Sequence, residues 1–243
     1  DIDSSHVGFL HRGALNQESA ASREDNEYLV FDTAPRWEVQ STNYGMMLAA
    51  QRKTKHPDKD YWRVNQWLMP YITMIPSNLS LSRAHGHMWT PVDDTHTDVW
   101  CTLWSPVEDL PQIERDRILH GPMPHIATLD PETGKLRANL ANHFLQDRHL
   151  QRNGLFSGIV GVREQDTAVI EGMGAIADRT REHLGTSDIP VITMRRRLLD
   201  DAKALAQGIE PLAAQSGAHF GVRSWSGLLD NSIAFDESEE VRK

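Results

Sequence analysis

The sequence predicts an α+β protein in which helices cover one face of an antiparallel sheet. From Trp37 to Trp104 the chain consists of short runs rich in aromatic and β-branched residues, separated by Pro, Asn, Gly and Asp, which is typical of an antiparallel meander. The last third of the chain instead carries apolar residues at helical spacing. Two layers of this kind favour a pocket between helix and sheet.

Length and composition limit the classes of protein that the chain can belong to. We expect a single domain over residues 1–243, because a chain of this size can bury a full hydrophobic core. The net charge of −9, with Arg195 to Arg197 as the only basic run, argues against a nucleic-acid partner. The single cysteine, Cys101, excludes an intrachain disulfide and favours a cytoplasmic location. No apolar run approaches the roughly 20 residues of a membrane span, so no membrane partner is expected.

The first half of the chain divides into a short helix, a loop and the sheet. Residues 2–11 are predicted to form a helix, and the polar stretch Asn16–Asn26 a surface loop. The stretch "KHPDKD", residues 55–60, indicates a tight turn between two strands. Between Glu108 and Gln151 the pattern is weak, and only "LPQIERDRILHG" suggests a helix.

Two helices are predicted near the end of the chain. The first covers Gln165–Leu184, and the second begins at Ser187 or Asp188 as cap, with Pro190 in its first turn. We expect the second helix to bury one apolar stripe, made of Ile192, Leu198, Leu199, Ala202, Leu205 and Ile209. The charged tail from Phe235 onwards is expected to fray.

A first candidate metal site lies at the start of the chain, in "DIDSSHVGFLH". Asp3 is three residues before His6, so its carboxylate could accept the proton of the ring nitrogen that does not bind metal. His6 and His11 are five residues apart, which places their rings about 140° apart on an ideal helix, so they converge only at a bulge or a helix end. Ordinary surface histidines are the alternative interpretation.

A second candidate lies in "HGHMWTPVDDTH". On a strand His85 and His87 point the same way, and His96, Asp93 or Asp94 could complete a set of ligands. Cupin-type dioxygenases hold iron with such a pair, but the downstream Glu and the flanking glycines of that family are not found. The alternative is a polar strand face followed by a turn, in which the two aspartates cap backbone amides.

The first site needs one carboxylate from elsewhere in the chain. Two imidazoles and one carboxylate on one face of Fe(II) leave the opposite positions open, which is the arrangement of non-haem iron oxygenases. The candidate is Asp166, in "FSGIVGVREQDTAVIEG". Taken alone, it does not differ from Glu164 and Glu171, and only its context separates it from them.

Four stretches of the chain together resemble the catalytic domain of Rieske-type non-haem iron oxygenases, in their phthalate dioxygenase-like branch. They are "DSSHVGFLH", "YWRVNQWLMPYITMIP", "WTPVDDTHTDVW" and "GIVGVREQDTAVIEGMGAIADRTREHLGTSD". The resemblance extends over nearly the whole chain and implies a helix-grip-like fold, with an antiparallel sheet covered by long helices.

The resemblance implies that His6, His11 and Asp166 hold a mononuclear Fe(II). It makes Asp3 an electron-transfer bridge, which hydrogen-bonds His6 and, across a subunit boundary, a histidine ligand of a neighbour's [2Fe–2S] Rieske cluster. Electrons would come from NAD(P)H through a reductase, and the assembly would be a homotrimer or a dimer of trimers. The cluster needs two Cys and two His, which a chain with one Cys cannot supply, so we expect the Rieske domain to be absent and sequence to precede Asp1.

The implied activity is the hydroxylation of an aromatic substrate with O2, by cis-dihydroxylation of an aromatic carboxylate. Aromatic O-demethylation or monooxygenation is the alternative within the family, and a non-catalytic helix-grip module that binds a hydrophobic ligand is the alternative of another class.

We expect Val7, Phe156 and Val162 to line the substrate space, with plain core packing as the alternative. Arg52 and Arg63 are the two candidates for a cation that pairs with a substrate carboxylate, and surface positions are the alternative for both.

Overall fold

The computed structural model describes residues 1–14, 23–76, 83–105, 107–120 and 126–242. Within these ranges the strands are β1 (Arg36–Ser41), β2 (Gly45–Lys53), β3 (Lys59–Leu68), β4 (Ile72–Pro76), β5 (Ala84–Pro91), β6 (Thr97–Trp104) and β7 (Trp225–Asp230). The α-helices are α1 (Val7–Leu10), α2 (Arg23–Phe31), α3 (Gln112–His120), α4 (Arg148–Arg152), α5 (Val162–Glu171), α6 (Ile189–Ala206), α7 (Leu212–Gln215) and α8 (Glu239–Arg242). An α+β protein with an antiparallel sheet is thereby confirmed.

The sheet is the predicted meander. Strands β1 to β6 follow one another in space in chain order, and each is antiparallel to the next. The long strand β3 pairs with β2 along one edge, while its other edge is shared by β4 and, nearer its start, by β7. The "KHPDKD" stretch makes the turn between β2 and β3, as expected.

Both faces of the sheet are covered around β2 and β3, whereas every residue of β6 is exposed or half-buried. On one face Met194 and Leu198 of α6 pack over a core cluster of Trp37, Met46, Leu48, Ala50, Trp67, Met69 and Ala213. On the other face the ring of Phe235 stacks on that of Trp62, with ring centroids 5.1 Å apart. The predicted fraying of the tail is therefore wrong for its first residues, because Phe235 is only 1% exposed.

The predicted helix over residues 2–11 is also too long, because only α1 is helical there. The backbone before it is bonded elsewhere: the Ser4 carbonyl accepts from Arg52 Nη2 at 2.5 Å, and the Ser5 amide donates to Asp3 Oδ1 at 2.7 Å. The predicted loop Asn16–Asn26 is wrong in its last residues, since α2 begins at Arg23, and residues 16–22 lie outside the described ranges.

The predicted helix over Gln165–Leu184 ends early. Helix α5 stops at Glu171, and the chain turns at Gly174, whose φ of +90° favours glycine. The next helix, α6, begins as predicted, with Asp188 at the cap position and Pro190 in the first turn. The suggested helix in "LPQIERDRILHG" is confirmed as α3.

The apolar stripe predicted for α6 is wrong in most of its members. Leu199, Leu205 and Ile209 are exposed by 60%, 57% and 59%, and Ile209 lies beyond the end of the helix. The helix turns Met194 and Leu198 towards the sheet instead. None of the described helices is both long and apolar enough to cross a membrane.

Candidate metal centre

The two histidines of the N-terminal motif stand at the two ends of α1. His6 occupies the cap position before the helix and His11 the one after it. Their rings lie edge to face, with centroids 5.1 Å apart and planes at 75°. A helix end was one of the two features that the spacing required for convergence, and a helix of a single turn provides it.

The carboxylate comes from α5, more than 150 residues later in the chain. Asp166 Oδ1 lies 3.4 Å from His6 Nε2 and 3.2 Å from His11 Nε2. Among the described residues this is the one group of three or more His, Cys, Asp or Glu whose ligand atoms all lie within 4.8 Å of one another. The structure therefore brings together the three residues that the sequence singled out.

Close backbone contacts hold α1 against its neighbours. A Cβ added at Gly8 would lie 2.1 Å from the Leu29 carbonyl oxygen of α2, so only glycine allows this approach. After the helix, the Phe156 amide donates to the Arg12 carbonyl at 3.0 Å. This bond joins the N-terminal segment to the part of the chain that leads into α5.

The ring of His11 is oriented by Gln165, a residue that is 1% exposed. Gln165 Nε2 donates to the Ile159 carbonyl at 2.7 Å, which fixes the amide and leaves its oxygen 2.7 Å from His11 Nδ1. When a metal binds at Nε2 of His11, the ring proton is therefore held on Nδ1. Gln165 was not predicted from the sequence, and its signal there is a polar residue on the buried side of α5, three residues after Val162.

Asp3 stands in the same relation to His6. Its Oδ2 lies 3.4 Å from His6 Nδ1, while its Oδ1 accepts from the Ser5 amide. Both rings thus turn Nδ1 to an oxygen acceptor and Nε2 to the shared carboxylate.

The site is electrostatically coupled. Burial by itself would raise the pKa of Asp166, but hydrogen bonds with His11 and His6 outweigh it and hold that pKa well below its usual range. Burial would likewise lower the pKa of His6, but the carboxylates of Asp166 and Asp3 raise it to about 9. Without a metal, the carboxylate is thus ionised and the His6 ring carries a proton, which a bound cation would replace.

A pocket opens beside these donors. Val7 and Val162, two of the three residues expected to line the substrate space, line this pocket, while Arg63, Asn65 and Ile75 reach it from β3 and β4. Phe156, the third residue expected to line the substrate space, lies outside the wall of this pocket. Its ring packs on Phe9 with centroids 4.5 Å apart, is 39% exposed, and is not part of the pocket wall among the described residues.

The two candidate arginines have different surroundings. Arg52 is fully buried and donates to the backbone carbonyls of Asp32 and Ser4, so it holds the segment before His6 in place. Arg63 lines the pocket, and it has no ion pair or hydrogen bond with any residue in the described part of the chain. Of the two, only Arg63 is placed to meet a ligand.

The second candidate site is not assembled. His85 and His87 share a face of β5, but His96 pairs with Asp93 at 2.9 Å in an exposed turn. Asp93 Oδ1 accepts from the amides of Thr95 and His96 at 2.8 Å each, which is the capping role of the alternative interpretation. The cupin-like interpretation is therefore wrong.

Fold and site agree with the comparison to known protein families. The chain belongs to the family of LigXa C-terminal-like domains, whose model matches residues 1–241. It is 35% identical, over 213 residues, to the phthalate 4,5-dioxygenase oxygenase subunit of Pseudomonas putida, covering 85% of this chain and 48% of that protein. It is 29% identical, over 255 residues, to the 3-chlorobenzoate-3,4-dioxygenase oxygenase subunit of Comamonas testosteroni, covering 100% of this chain and 58% of that protein. The resemblance to the phthalate dioxygenase-like branch is confirmed, and the chain spans about half the length of these relatives.

Proposed function

We propose that this chain is the catalytic domain of a terminal oxygenase component that hydroxylates an aromatic substrate with O2 at a mononuclear Fe(II). The observation that carries the proposal is the convergence of His6, His11 and Asp166 beside the pocket. Two neutral imidazoles and one carboxylate are the ligand set of non-haem iron oxygenases, and the set suits iron because both rings offer Nε2 as the free donor.

In this proposal the role of the protein is to hold the metal ligands and the substrate in position. Bound at these donors, Fe(II) would supply the activation of O2. Gln165 holds the proton of His11 on Nδ1, and Asp3 does the same for His6. The apolar side chains of Val7 and Val162 exclude water from the pocket and pack against the aromatic ring.

The electrons would come from a group that residues 1–243 do not contain. A chain with one cysteine cannot hold a Rieske [2Fe–2S] cluster, so we place the cluster in the part of the subunit that the relatives have and this chain does not cover. Asp3 would receive electrons across a subunit boundary in a homotrimer or a dimer of trimers, supplied by an NAD(P)H-dependent reductase. We also propose that the sheet and helices are arranged as a helix grip.

The substrate class is inferred to be an aromatic carboxylate, oxidised by cis-dihydroxylation. Two observations support this choice. The names of both relatives contain such a compound, phthalate or 3-chlorobenzoate. The guanidinium of Arg63 lines the pocket without an acidic partner among the described residues, and a carboxylate would supply one.

Metal content tests the proposal. The chain is reconstituted anaerobically with Fe(II), and bound iron is counted after desalting for wild type, Asp166→Asn and Glu171→Gln. Glu171 lies five residues further along α5. Its substitution by Gln also replaces a carboxylate with an amide, but at a position outside the proposed metal ligands. We expect about one iron per chain in wild type and in Glu171→Gln, and loss of iron in Asp166→Asn. A metal-free chain that still binds aromatic compounds would instead be a ligand-binding module.

Titration with benzoate and phthalate tests the substrate class. Losing a charge-assisted hydrogen bond costs about 1.5–3 kcal/mol, so Arg63→Gln should weaken binding by roughly 10- to 150-fold. The matched control is Arg196→Gln, at an exposed position of α6. Equal affinities in the two variants would remove the carboxylate assignment while leaving the iron site untouched. Product analysis on the whole subunit then separates a cis-dihydrodiol from a demethylated phenol.

A further inference from the structure

A second cluster of reactive side chains lies on β5 and β6, and it shares no residue with the iron donors. His87 and Cys101 stand directly opposite each other in the register of the two strands, so their side chains share one face of the sheet. His87 is 2% exposed, and its Nδ1 lies 2.6 Å from Asp1 Oδ2. The thiol of Cys101, which is partly exposed, hydrogen-bonds the His87 ring.

The carboxylate of Asp1 is fixed in place. Besides the His87 contact, its Oδ2 accepts from Thr73 Oγ1 at 2.6 Å and from Trp89 Nε1 at 3.0 Å. An ionised carboxylate that faces Nδ1 favours the ring proton there, which leaves Nε2 of His87 as a base for the thiol proton. The order of acid, imidazole and sulfur is that of an activated nucleophile.

Arg163 adds a buried positive charge to the cluster. Its side chain is 7% exposed, lies 5.0 Å over the ring of Trp89, and hydrogen-bonds Cys101. The Nη2 atom of Arg163 is buried and has no hydrogen-bond partner within the described ranges. A buried guanidinium with a spare donor is costly unless an anion lies beside it, and a thiolate or an oxidised sulfur would be that anion.

We propose that Cys101 is a modification site, at which a thiolate activated by His87 and Asp1 and stabilised by Arg163 reacts with small electrophiles and with hydrogen peroxide. Burial would raise the pKa of the Cys101 thiol, but its hydrogen bond with His87 and the charge of Arg163 lower it below the ordinary value.

The reaction with peroxide balances without another reactant. His87 takes the thiol proton, and the sulfur attacks one oxygen of hydrogen peroxide. The S–O bond forms as the O–O bond breaks, and two electrons pass from sulfur to peroxide. The departing hydroxide takes the proton back from the imidazolium as water, which leaves a sulfenic acid on Cys101.

The test measures the pH dependence of the modification on the folded chain. The rate of iodoacetamide alkylation is followed by mass spectrometry from acid to alkaline pH, and dimedone traps the sulfenic acid formed with added hydrogen peroxide. We expect a midpoint for alkylation below the value of about 8.5 for a free thiol. In His87→Gln the midpoint should rise by about one unit, which lowers the rate at neutral pH by roughly tenfold.

His96→Gln is the matched control, because it makes the same change on the exposed β5–β6 turn and should keep the wild-type midpoint. A midpoint at or above that of a free thiol in wild type would overturn the proposal, and this measurement needs no variant to fold. So would alkylation only after unfolding, or equal midpoints in wild type and His87→Gln.

Discussion

Gln165 shows how much of the candidate metal centre depends on a residue that binds no metal. It is buried, and both ends of its amide are bonded, to the Ile159 carbonyl and to the His11 ring. The amide thereby sets the tautomer of His11, the proposed ligand, which lies 154 residues earlier in the chain. Outer partners of this kind are worth about 10- to 100-fold in metal affinity.

We therefore expect Gln165→Leu to lower the affinity for Fe(II) by roughly 10- to 100-fold, because His11 loses its acceptor. Gln165→Glu keeps an oxygen near His11 Nδ1 and should retain most of the affinity. Competition with a chelator measures both variants, and their thermal unfolding without metal checks the fold. A folded Gln165→Leu with wild-type affinity would contradict the role of this residue.

His85 is a partly buried base whose titration should be visible in the stability of the protein. Burial and then the positive charge of Arg63 lower the pKa of His85 from 6.5 to about 4. The unfolded chain therefore binds more protons than the folded one between these two values. The contribution of the neutral His85 ring to the free energy of unfolding is fully present above pH 6.5 and is lost as the pH drops towards 4, by an amount on the order of 3 kcal/mol.

Denaturant unfolding at several pH values should accordingly show that the free energy of unfolding falls less steeply with decreasing pH in His85→Gln than in wild type. His56→Gln, at an exposed position of the β2–β3 turn, is the control and should keep the wild-type slope. Parallel curves for wild type and His85→Gln would show that the ring is not held neutral by the fold.

At the scale of elements, α1 positions two of the three residues of the candidate metal centre. A helix of four residues has little stability of its own, so its position depends on contacts with α2. At Gly8 the two helices approach so closely that the Cβ of any other residue would meet the Leu29 carbonyl oxygen.

Gly8→Ala should thus destabilise the protein by about 1–3 kcal/mol and weaken metal binding, since α1 carries His6 at one end and His11 at the other. Gly217→Ala is the matched control, because an added Cβ there has no neighbour within 4 Å. Thermal unfolding and metal titration measure the two variants. If Gly8→Ala behaved like the control, α2 would not position α1.

At the scale of the whole molecule, the site joins the two halves of the fold. His6 and His11 come from the segment before the sheet, and Asp166 comes from a helix between strands β6 and β7. The sheet provides the opposite wall of the pocket through Arg63 and Asn65. No single segment could hold the metal, so occupancy by iron should depend on the complete fold.

The proposed role of Asp3 involves the whole assembly, because its proposed partner lies in another subunit. In the whole oxygenase subunit, Asp3→Asn should keep the fold and the iron but slow electron transfer to the iron site by about 10- to 100-fold. Single-turnover oxidation of the reduced cluster measures this rate, and Asp98→Asn, at an exposed position of β6, is the control. A normal rate in an iron-loaded Asp3→Asn protein would remove the bridging role.

Local chemistry determined a large part of this structure. Alternating aromatic and β-branched runs with turn residues between them defined the meander, because strand pairing follows patterns only a few residues long. The cap and proline at Asp188 and Pro190 defined the start of α6 in the same way. The spacing of His6 and His11 already required a bulge or a helix end if the two rings were to converge.

Only the tertiary structure decided which side chains face each other across the chain. The apolar spacing on α6 could not indicate that Leu199 stays exposed while Met194 packs on the core, because that choice depends on where the sheet lies. The sequence could not tell which of Arg52 and Arg63 faces the pocket either. Both lie on strands, and they differ only in what surrounds their side chains after folding. The partnership of Gln165 with His11 likewise exists only after folding, because a hydrogen bond between residues 154 positions apart leaves no local pattern in the sequence.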